Sequence, residues 1–381
     1  MPSVQILLKP VSAACNLRCS YCFYADEAQH RAAPVRGTMT RDTVEAVIGA
    51  AFRYAASGTD AASDTDTVTF AFQGGEPTLA GAEFYRSFVQ LAAQENRRGL
   101  NVRYALQTNG IGMDASFAAF LAEHGFLVGV SLDGTRTLHD RHRRTPAGEG
   151  TYAQVLRCAS LLRRQGAAYN ILCVVTDAMA RPGIGKAVYE SLRGHEFLQF
   201  IPCLAPLGGG APSYAPSEEG YAGFLCEVFD GYYRDFRAGT LVSVRLFDNF
   251  LNLLLRLPPE SCAMCGVCQI SFAVEADGSI YPCDFYALDD WLLGNITSPG
   301  ADLAAMAAGE GMRRFLEASH AVPQRCRACR YYPLCRNGCA RERTLPDGRN
   351  RYCHAYRMFF DRKIGQLEDM AARIAAMRQI R

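Results

Sequence analysis

Six short apolar runs, separated by amphipathic stretches, constrain the fold of this chain more than any other feature. The runs lie at 4–8, 68–72, 102–106, 127–131, 169–175 and 197–202, and each has the length and composition of a buried strand. Between them, 40–55, 83–97, 114–124, 151–165 and 183–193 space their apolar residues as helices do. Thr40 and Asp114 stand where N-caps belong, and Gly99, Gly125 and Gly166 stand where helices should stop. Strands alternating with helices pair in parallel through right-handed crossovers. Six such units are too few to close an eight-stranded barrel, so an open partial barrel over residues 1–235 is expected.

The second half, 236–381, is different. Helical patterns at 218–237 and 246–257 lead into a cysteine-rich region, and the tail from about 355 reads as a closing amphipathic helix. Residues 57–66 read as a solvated loop, and 206–212 as either a lid over a site or a plain surface linker. The chain has 49% apolar and 20% charged residues, a globular composition. A net charge of +2 speaks against capture of nucleic acid or an anionic membrane. No run is long enough to span a bilayer, and the first apolar run is too short for a signal peptide; a cytoplasmic monomer is expected.

A cytoplasmic setting changes what 16 cysteines mean, because thiols there stay reduced. Eleven fall into groups with ligand spacing: Cys15, Cys19 and Cys22; Cys262, Cys268 and Cys283; and Cys326, Cys329, Cys335, Cys339 and Cys353. Cys158, Cys173, Cys203 and Cys226 sit in apolar surroundings and read as small buried hydrophobes, with Cys265 left over. The first group, Cys15-Asn16-Leu17-Arg18-Cys19-Ser20-Tyr21-Cys22, has no fourth ligand in its loop. Three thiolates can hold a 4Fe–4S cluster and leave one iron open for chemistry. Spacing alone leaves zinc ribbons open for the later groups, since four thiolates suit both metals.

In parallel βα barrels, ligand-binding groups gather where the strands end. Here those positions hold Tyr21 beside Cys22, then Gln73-Gly74-Gly75-Glu76-Pro77, then Asn109, then Ser131 and Asp133. Gly74 and Gly75 permit close backbone approach, and Glu76 offers an acceptor for an ammonium group. Ser131 and Asp133 suit ribose hydroxyls, and Arg143 suits a carboxylate. Each piece alone is more often an ordinary turn or solvated charge; their convergence on one mouth carries the argument.

Taken together, these motifs resemble the radical S-adenosylmethionine family, and the whole chain resembles its anaerobic sulfatase-maturating branch with a C-terminal SPASM domain. The resemblance runs through 6–24, 70–80, 106–110, 171–176, 197–206 and 277–286. It implies an α/β fold: a partial (β/α)6 barrel, a SPASM domain with two auxiliary clusters, and a C-terminal helix. It implies S-adenosylmethionine and three 4Fe–4S clusters as cofactors. By resemblance, Cys15, Cys19 and Cys22 hold the first cluster, Cys262, Cys268, Cys283 and Cys339 the second, and Cys326, Cys329, Cys335 and Cys353 the third. Cofactor contacts then fall on Tyr21, Gly75, Ser131, Arg143 and Leu204. Cys262-Ala263-Met264-Cys265 departs from the pattern, because Cys265 is a spare thiol or a replacement for Cys262.

The implied reaction oxidises a cysteine or serine of a sulfatase to Cα-formylglycine after hydrogen abstraction by a 5′-deoxyadenosyl radical. A base must take the thiol or hydroxyl proton. Asp284, directly after Cys283, matches the family's base; read without the family it is equally a loop carboxylate beside a ligand. The implied partners are an unfolded or nascent sulfatase carrying Cys/Ser-x-Pro/Ala-x-Arg and a flavodoxin- or ferredoxin-type electron donor. Rival readings are a SPASM maturase that crosslinks a ribosomal peptide, a non-catalytic iron–sulfur electron carrier, and a zinc-ribbon binding scaffold.

Overall fold

The computed structural model describes residues 4–56, 67–210 and 214–379. The solvated loop expected at 57–66 lies outside the described residues, as do positions 211 and 212 of the 206–212 segment. Six strands appear where the apolar runs predict them: β1 (Val4–Leu8), β2 (Thr67–Phe72), β3 (Asn101–Thr108), β4 (Leu127–Ser131), β5 (Tyr169–Val175) and β6 (Phe197–Pro202). Four more are short: β7 (Ser243–Val244), β8 (Phe272–Val274), β9 (Ser279–Tyr281) and β10 (Gly294–Asn295).

The chain divides into two compact units. The first comprises Met1–Ser131, Arg143–Tyr169 and Ile270–Phe315. In it β1, β2, β3 and β4 pair in parallel, with Val4 opposite Val68, Phe70 opposite Tyr104, and Leu106 opposite Val128. β2 reads Thr-Val-Thr-Phe-Ala-Phe, and strand period buries Val68, Phe70 and Phe72 on one face. Phe88, from the helix Ala82–Glu95, meets that face with ring centroids 5.1 Å from Phe70 and 4.9 Å from Phe72.

One pairing had no signal in the sequence. β8 lies parallel to β1 on the side away from β2, with Ile6 opposite Phe272 and Leu8 opposite Val274. β9 and β10 then continue antiparallel. Three-residue strands are too short to show a period, so the region read as irregular. The turn between β8 and β9 needs Gly278, whose φ is 84° and whose N–H donates to Glu275 O.

Helix ends follow local chemistry. Asp114 Oδ1 accepts from Phe117 N at 2.8 Å, and Thr40 Oγ1 from Thr43 N at 3.2 Å. Gly166 closes its helix with φ 74°. Gly99 does not cap: that helix stops at Glu95, and the following turn is held by Asn96, which bonds both N and O of Leu100. Several short helices were not expected: Phe23–Gln29 and Arg136–His142, and further along Leu303–Ala308, Glu310–Ser319, Gln324–Arg327 and Tyr332–Cys335.

The second unit comprises Leu132–His142, Asn170–Gln269 and Leu316–Arg381. β5 and β6 pair in parallel there, with β7 beside β6. The helix Glu218–Arg237 packs on the closing helix Cys353–Gln379 through Phe229, 5.5 Å from Phe359 and 5.0 Å from Phe247. Cys158, Cys173, Cys203 and Cys226 are buried, as their apolar surroundings implied. Phe88→Ala should destabilise the first unit by about 3–5 kcal/mol through the cavity it leaves. A thermal melt followed by circular dichroism checks this, with Leu127→Ala, at a half-exposed position, as a near-neutral control.

Candidate active site

Most of the residues singled out from the sequence lie in the first unit. After β1 the chain turns at once, with Lys9 N donating to Val274 O (2.9 Å) and Ser12 N to Lys9 O (3.1 Å). The loop then presents Cys15, Cys19 and Cys22, all half-buried. Leu17 N–H points at Cys15 Sγ (3.4 Å), and Asn109 Nδ2 lies 3.9 Å from the same sulfur while donating to Asn16 Oδ1 at 2.7 Å. Burial pushes the Cys15 thiol pKa up and the Leu17 N–H opposes it. Donors aimed at a sulfur suit a ligand thiolate.

The glycines after β2 make room for that loop. Gly75 N donates to Ser12 O and Glu76 N to Ala14 O, both at 2.8 Å. A Cβ on Gly75 would lie 2.1 Å from Ala14 O, and one on Gly74 (φ 121°) 2.9 Å from Ser12 O. Glu76 is buried, and its carboxylate accepts from Thr78 N and hydroxyl, from the Thr108 hydroxyl (2.8 Å) and from Asn109 N (2.7 Å). Burial raises its pKa against those donors. Its observed work is to join the ends of β2 and β3.

Tyr21 and Arg143, far apart in sequence, come together with the guanidinium 5.3 Å from the ring centroid. Ser131 is half-buried at the end of β4. In the second unit, Leu204 is half-buried just past β6, and Asp133 is fully buried, its Oδ1 accepting Val174 N at 2.9 Å. Asp133 thereby anchors β5.

Asp284 sits in a charge network that sequence reasoning missed. Lys9, with 0% exposure, places Nζ 2.9 Å from Asp284 Oδ1, 3.8 Å from Glu275 Oε1 and 4.0 Å from Glu27 Oε1. Gln73 Nε2 donates to Asp284 Oδ2. Behind them Arg31 donates to Glu275 and Glu27, each at 2.5 Å, and the Tyr24 hydroxyl donates to Glu275 at 2.5 Å. Burial disfavours the Lys9 ammonium, but Asp284 and the other acidic neighbours outweigh it and raise its pKa. Burial pushes Glu27 up to about 7 despite Lys9 and Arg31. Burial also works against the Glu275 carboxylate, yet Lys9 and Arg31 hold it below its ordinary value. A lysine ending a buried strand and the Glu27/Arg31 pair at i,i+4 were the available signals.

In the second unit, Cys326, Cys329, Cys335 and Cys353 line one cavity of about 510 Å³. Burial pushes Cys335 up to about 11, and Cys339 up to about 12 with Glu342, Cys262 and Cys268 adding negative charge. Cys262, Cys268 and Cys339 thus share a neighbourhood in this unit, whereas Cys283 belongs to the first unit. Cys265 turns to its own loop, donating to Ser261 O at 3.7 Å and accepting from Gln269 at 3.5 Å. Among the described residues no three His, Cys, Asp or Glu side chains gather around a point suited to one metal ion. A cluster asks for wider spacing, because each thiolate binds a different iron, and a four-thiolate cavity fits it.

Comparison with known proteins identifies the lineage. Residues 10–180 match the Radical SAM superfamily and 262–330 match SPASM, an iron–sulfur cluster-binding domain. A cysteine-type anaerobic sulfatase-maturating enzyme of Clostridium novyi is 38% identical over 98% of this chain and 99% of its own length. The chain belongs to the anaerobic sulfatase-maturating enzymes. A cysteine-type member from Clostridium perfringens is also 38% identical, over 98% of this chain and all of its own. A serine-type member from Klebsiella aerogenes is 28% identical, over 93% of this chain and 84% of its own. The solved structure of native anSMEcpe with bound AdoMet and Cp18Cys peptide superposes with a TM-score of 0.89 at 37% identity, covering 98% of this chain and 100% of that one.

This maturase is therefore an α/β radical SAM enzyme built as a partial (β/α)6 barrel with a SPASM domain, and its cofactors are S-adenosylmethionine and three 4Fe–4S clusters. Full-length kinship with sulfatase-maturating enzymes sets aside the crosslinking maturase and the electron carrier, and the SPASM match sets aside zinc ribbons. Gly75→Ala should push the 12–14 backbone away and strip the first cluster, leaving about eight irons of about twelve. An anaerobic iron and sulfide count checks it.

Proposed function

We propose that Asp284 is the base in the oxidation of a sulfatase residue to Cα-formylglycine, and that cysteine is the residue this maturase oxidises. The observation that carries the first claim is the setting of Asp284: Lys9 Nζ lies 2.9 Å from one oxygen and Gln73 donates to the other. When bound to the first cluster, S-adenosylmethionine supplies a 5′-deoxyadenosyl radical that takes a hydrogen atom from the substrate Cβ. The thiol proton must then go to a nearby acceptor as an electron leaves the substrate. Asp284, one-tenth exposed, ion-paired with Lys9 and hydrogen-bonded by Gln73, can take that proton without reorienting. The resulting thioaldehyde hydrolyses to the aldehyde and sulfide. Cysteine is favoured because the cysteine-type relatives are 38% identical and the serine-type 28%.

The cysteine ligands are proposed as the family resemblance implies them. The cofactor contacts are proposed likewise at Tyr21, Gly75, Ser131, Arg143 and Leu204, with Gly74, Glu76, Asn109 and Asp133 shaping the strand ends around them. The Tyr21–Arg143 stack supports this by fixing a guanidinium near Cys22. The substrate is an unfolded or nascent sulfatase segment of the Cys-x-Pro-x-Arg type, and a flavodoxin- or ferredoxin-type protein donates the first electron. A monomer acting in the cytoplasm fits this, with the barrel at 1–235 and the SPASM region at 236–381. Among the described residues no helix is long and apolar enough to cross a membrane.

Incubated anaerobically with S-adenosylmethionine, reductant and a Cys-x-Pro-x-Arg peptide, the protein should lower the peptide mass by about 18 units, the thiol-to-aldehyde change. A serine peptide turned over faster than the cysteine peptide would overturn the cysteine preference. Asp284→Asn should retain its iron and lose about 10²–10⁴-fold in aldehyde formation; turnover near that of the unmodified protein would remove Asp284 from the mechanism.

A further inference from the structure

The chain is nearly neutral overall, yet its positive charge is not evenly spread. Between residues 325 and 357 there are nine arginines and only two carboxylates, Glu342 and Asp347. Several of these arginines have structural work. Arg341 donates to Ala205 O (2.8 Å), Arg351 to Cys203 O (3.5 Å), and Arg343 to Ser319 O, Gly266 O and Gly338 O. Arg336 donates to Pro333 O (3.3 Å) and Met264 O (3.5 Å). Arg349 reaches Asp347 and, at 3.5 Å, Cys353 Sγ. That leaves Arg325, Arg327, Arg330 and Arg357, all exposed.

Three of these four, Arg325, Arg330 and Arg357, line the cavity that also holds Cys326, Cys329, Cys335 and Cys353. Among the residues lining that cavity the one carboxylate is Asp361, paired with Arg330 in a solvent-exposed contact that is worth little. Guanidinium groups meant only to offset the charge of a cluster would be expected to donate to its thiolates, as Arg349 does. Arg330 instead pairs with Asp361 and lies 4.6 Å over the Tyr331 ring, and at 74% exposure its guanidinium faces solvent rather than a thiolate.

We propose that Arg325, Arg330 and Arg357 form the docking rim for an acidic one-electron carrier protein of the flavodoxin class. The proposal rests on the oxidation described above and adds the surface at which its redox partner binds. Charge decides the partner: a basic rim steers and orients an acidic surface, raising association rate and fixing the docked register. Position decides the class, because the arginines line the cavity that holds four cysteines rather than an apolar groove for a peptide. The electron accounting gives such a partner a role. When the substrate cysteine becomes a thioaldehyde, its C–H and S–H bonds break and a C=S bond forms. One electron leaves with the abstracted hydrogen atom, the proton goes to Asp284, and the remaining electron reduces the docked carrier by one.

The test uses the full-length, cluster-loaded protein and a recombinant acidic flavodoxin as the probe, under argon. Binding is measured by calorimetry across ionic strength, for the unmodified protein, for Arg325→Glu/Arg330→Glu/Arg357→Glu, and for Arg41→Glu, an equally exposed control in the first unit. The expected result is at least a tenfold loss of flavodoxin affinity in the triple variant and a flatter salt dependence, with Arg41→Glu unchanged. Iron content and dithionite-driven aldehyde formation should stay as in the unmodified protein. Unchanged flavodoxin binding by the triple variant would overturn the proposal. So would loss of iron, which makes the arginines cluster stabilisers, or selective loss of peptide affinity, which assigns the rim to the substrate. Failure of the dithionite reaction in the unmodified protein would instead count against the proposed oxidation itself.

Discussion

The ion pair between Lys9 and Asp284 is the contact on which the rest of the site depends. A lysine without solvent exposure is tolerated only when opposite charges repay its lost hydration. Here Asp284, Glu275 and Glu27 do so, and Arg31 in turn offsets the excess of carboxylates. Two cations and three carboxylates therefore stabilise one another, and removing either cation leaves buried carboxylates uncompensated. Their positions explain why this matters. Lys9 directly follows β1, Glu27 lies on the helix after Cys22 and Arg31 just past its end, and Glu275 and Asp284 flank β9. The network thus locks the cysteine loop and the proposed base to one frame. A base for a short-lived radical reaction gains most from a carboxylate that need not move.

That frame exists because β8 joins β1. Pairing along Ile6, Leu7 and Leu8 brings Val274 next to Lys9, and the hairpin that follows carries Cys283 and Asp284 into the first unit. On the other side of β1, the glycines after β2 let two backbones meet with no side chain between them. The cysteine loop is consequently clamped by Gly75 and Glu76 and steadied at Cys15 by Asn109. Glu76 and Asp133, each within its own unit, fix a neighbouring strand through the carboxylate.

Much of this was legible in the residues. Strand and helix placement followed from period, because a buried strand or an amphipathic helix must repeat its apolar positions. The cysteine groups were legible from spacing, and the four that line the 510 Å³ cavity were assigned to one cluster through family resemblance. Gly99 was misread because a glycine after a helix marks a turn but does not say which turn; Asn96 closes that helix three residues earlier. The glycines of Gly74-Gly75 were read as letting a ligand approach the backbone; the structure adds that a Cβ at either would meet the Ser12 or Ala14 carbonyl. The links of Lys9, Gln73 and Arg31 to Glu275 and Asp284 went unread because a polar side chain gives no periodic signal and those partners lie more than two hundred residues away.

The sequence by itself determined the six βα units, the three-thiolate loop, the cysteine groups of the second half and the family to which the chain belongs. Each of these is encoded locally, in the period of apolar residues or the spacing of thiols within a loop. Tertiary structure alone decided that β8 extends the sheet beside β1, that Lys9 faces Asp284, and which arginines remain exposed around the cysteine-lined cavity. Those outcomes depend on pairing and burial between distant segments. No local propensity specifies them, and the free energy of burying a charge or joining two strand edges becomes available only once the chain is folded.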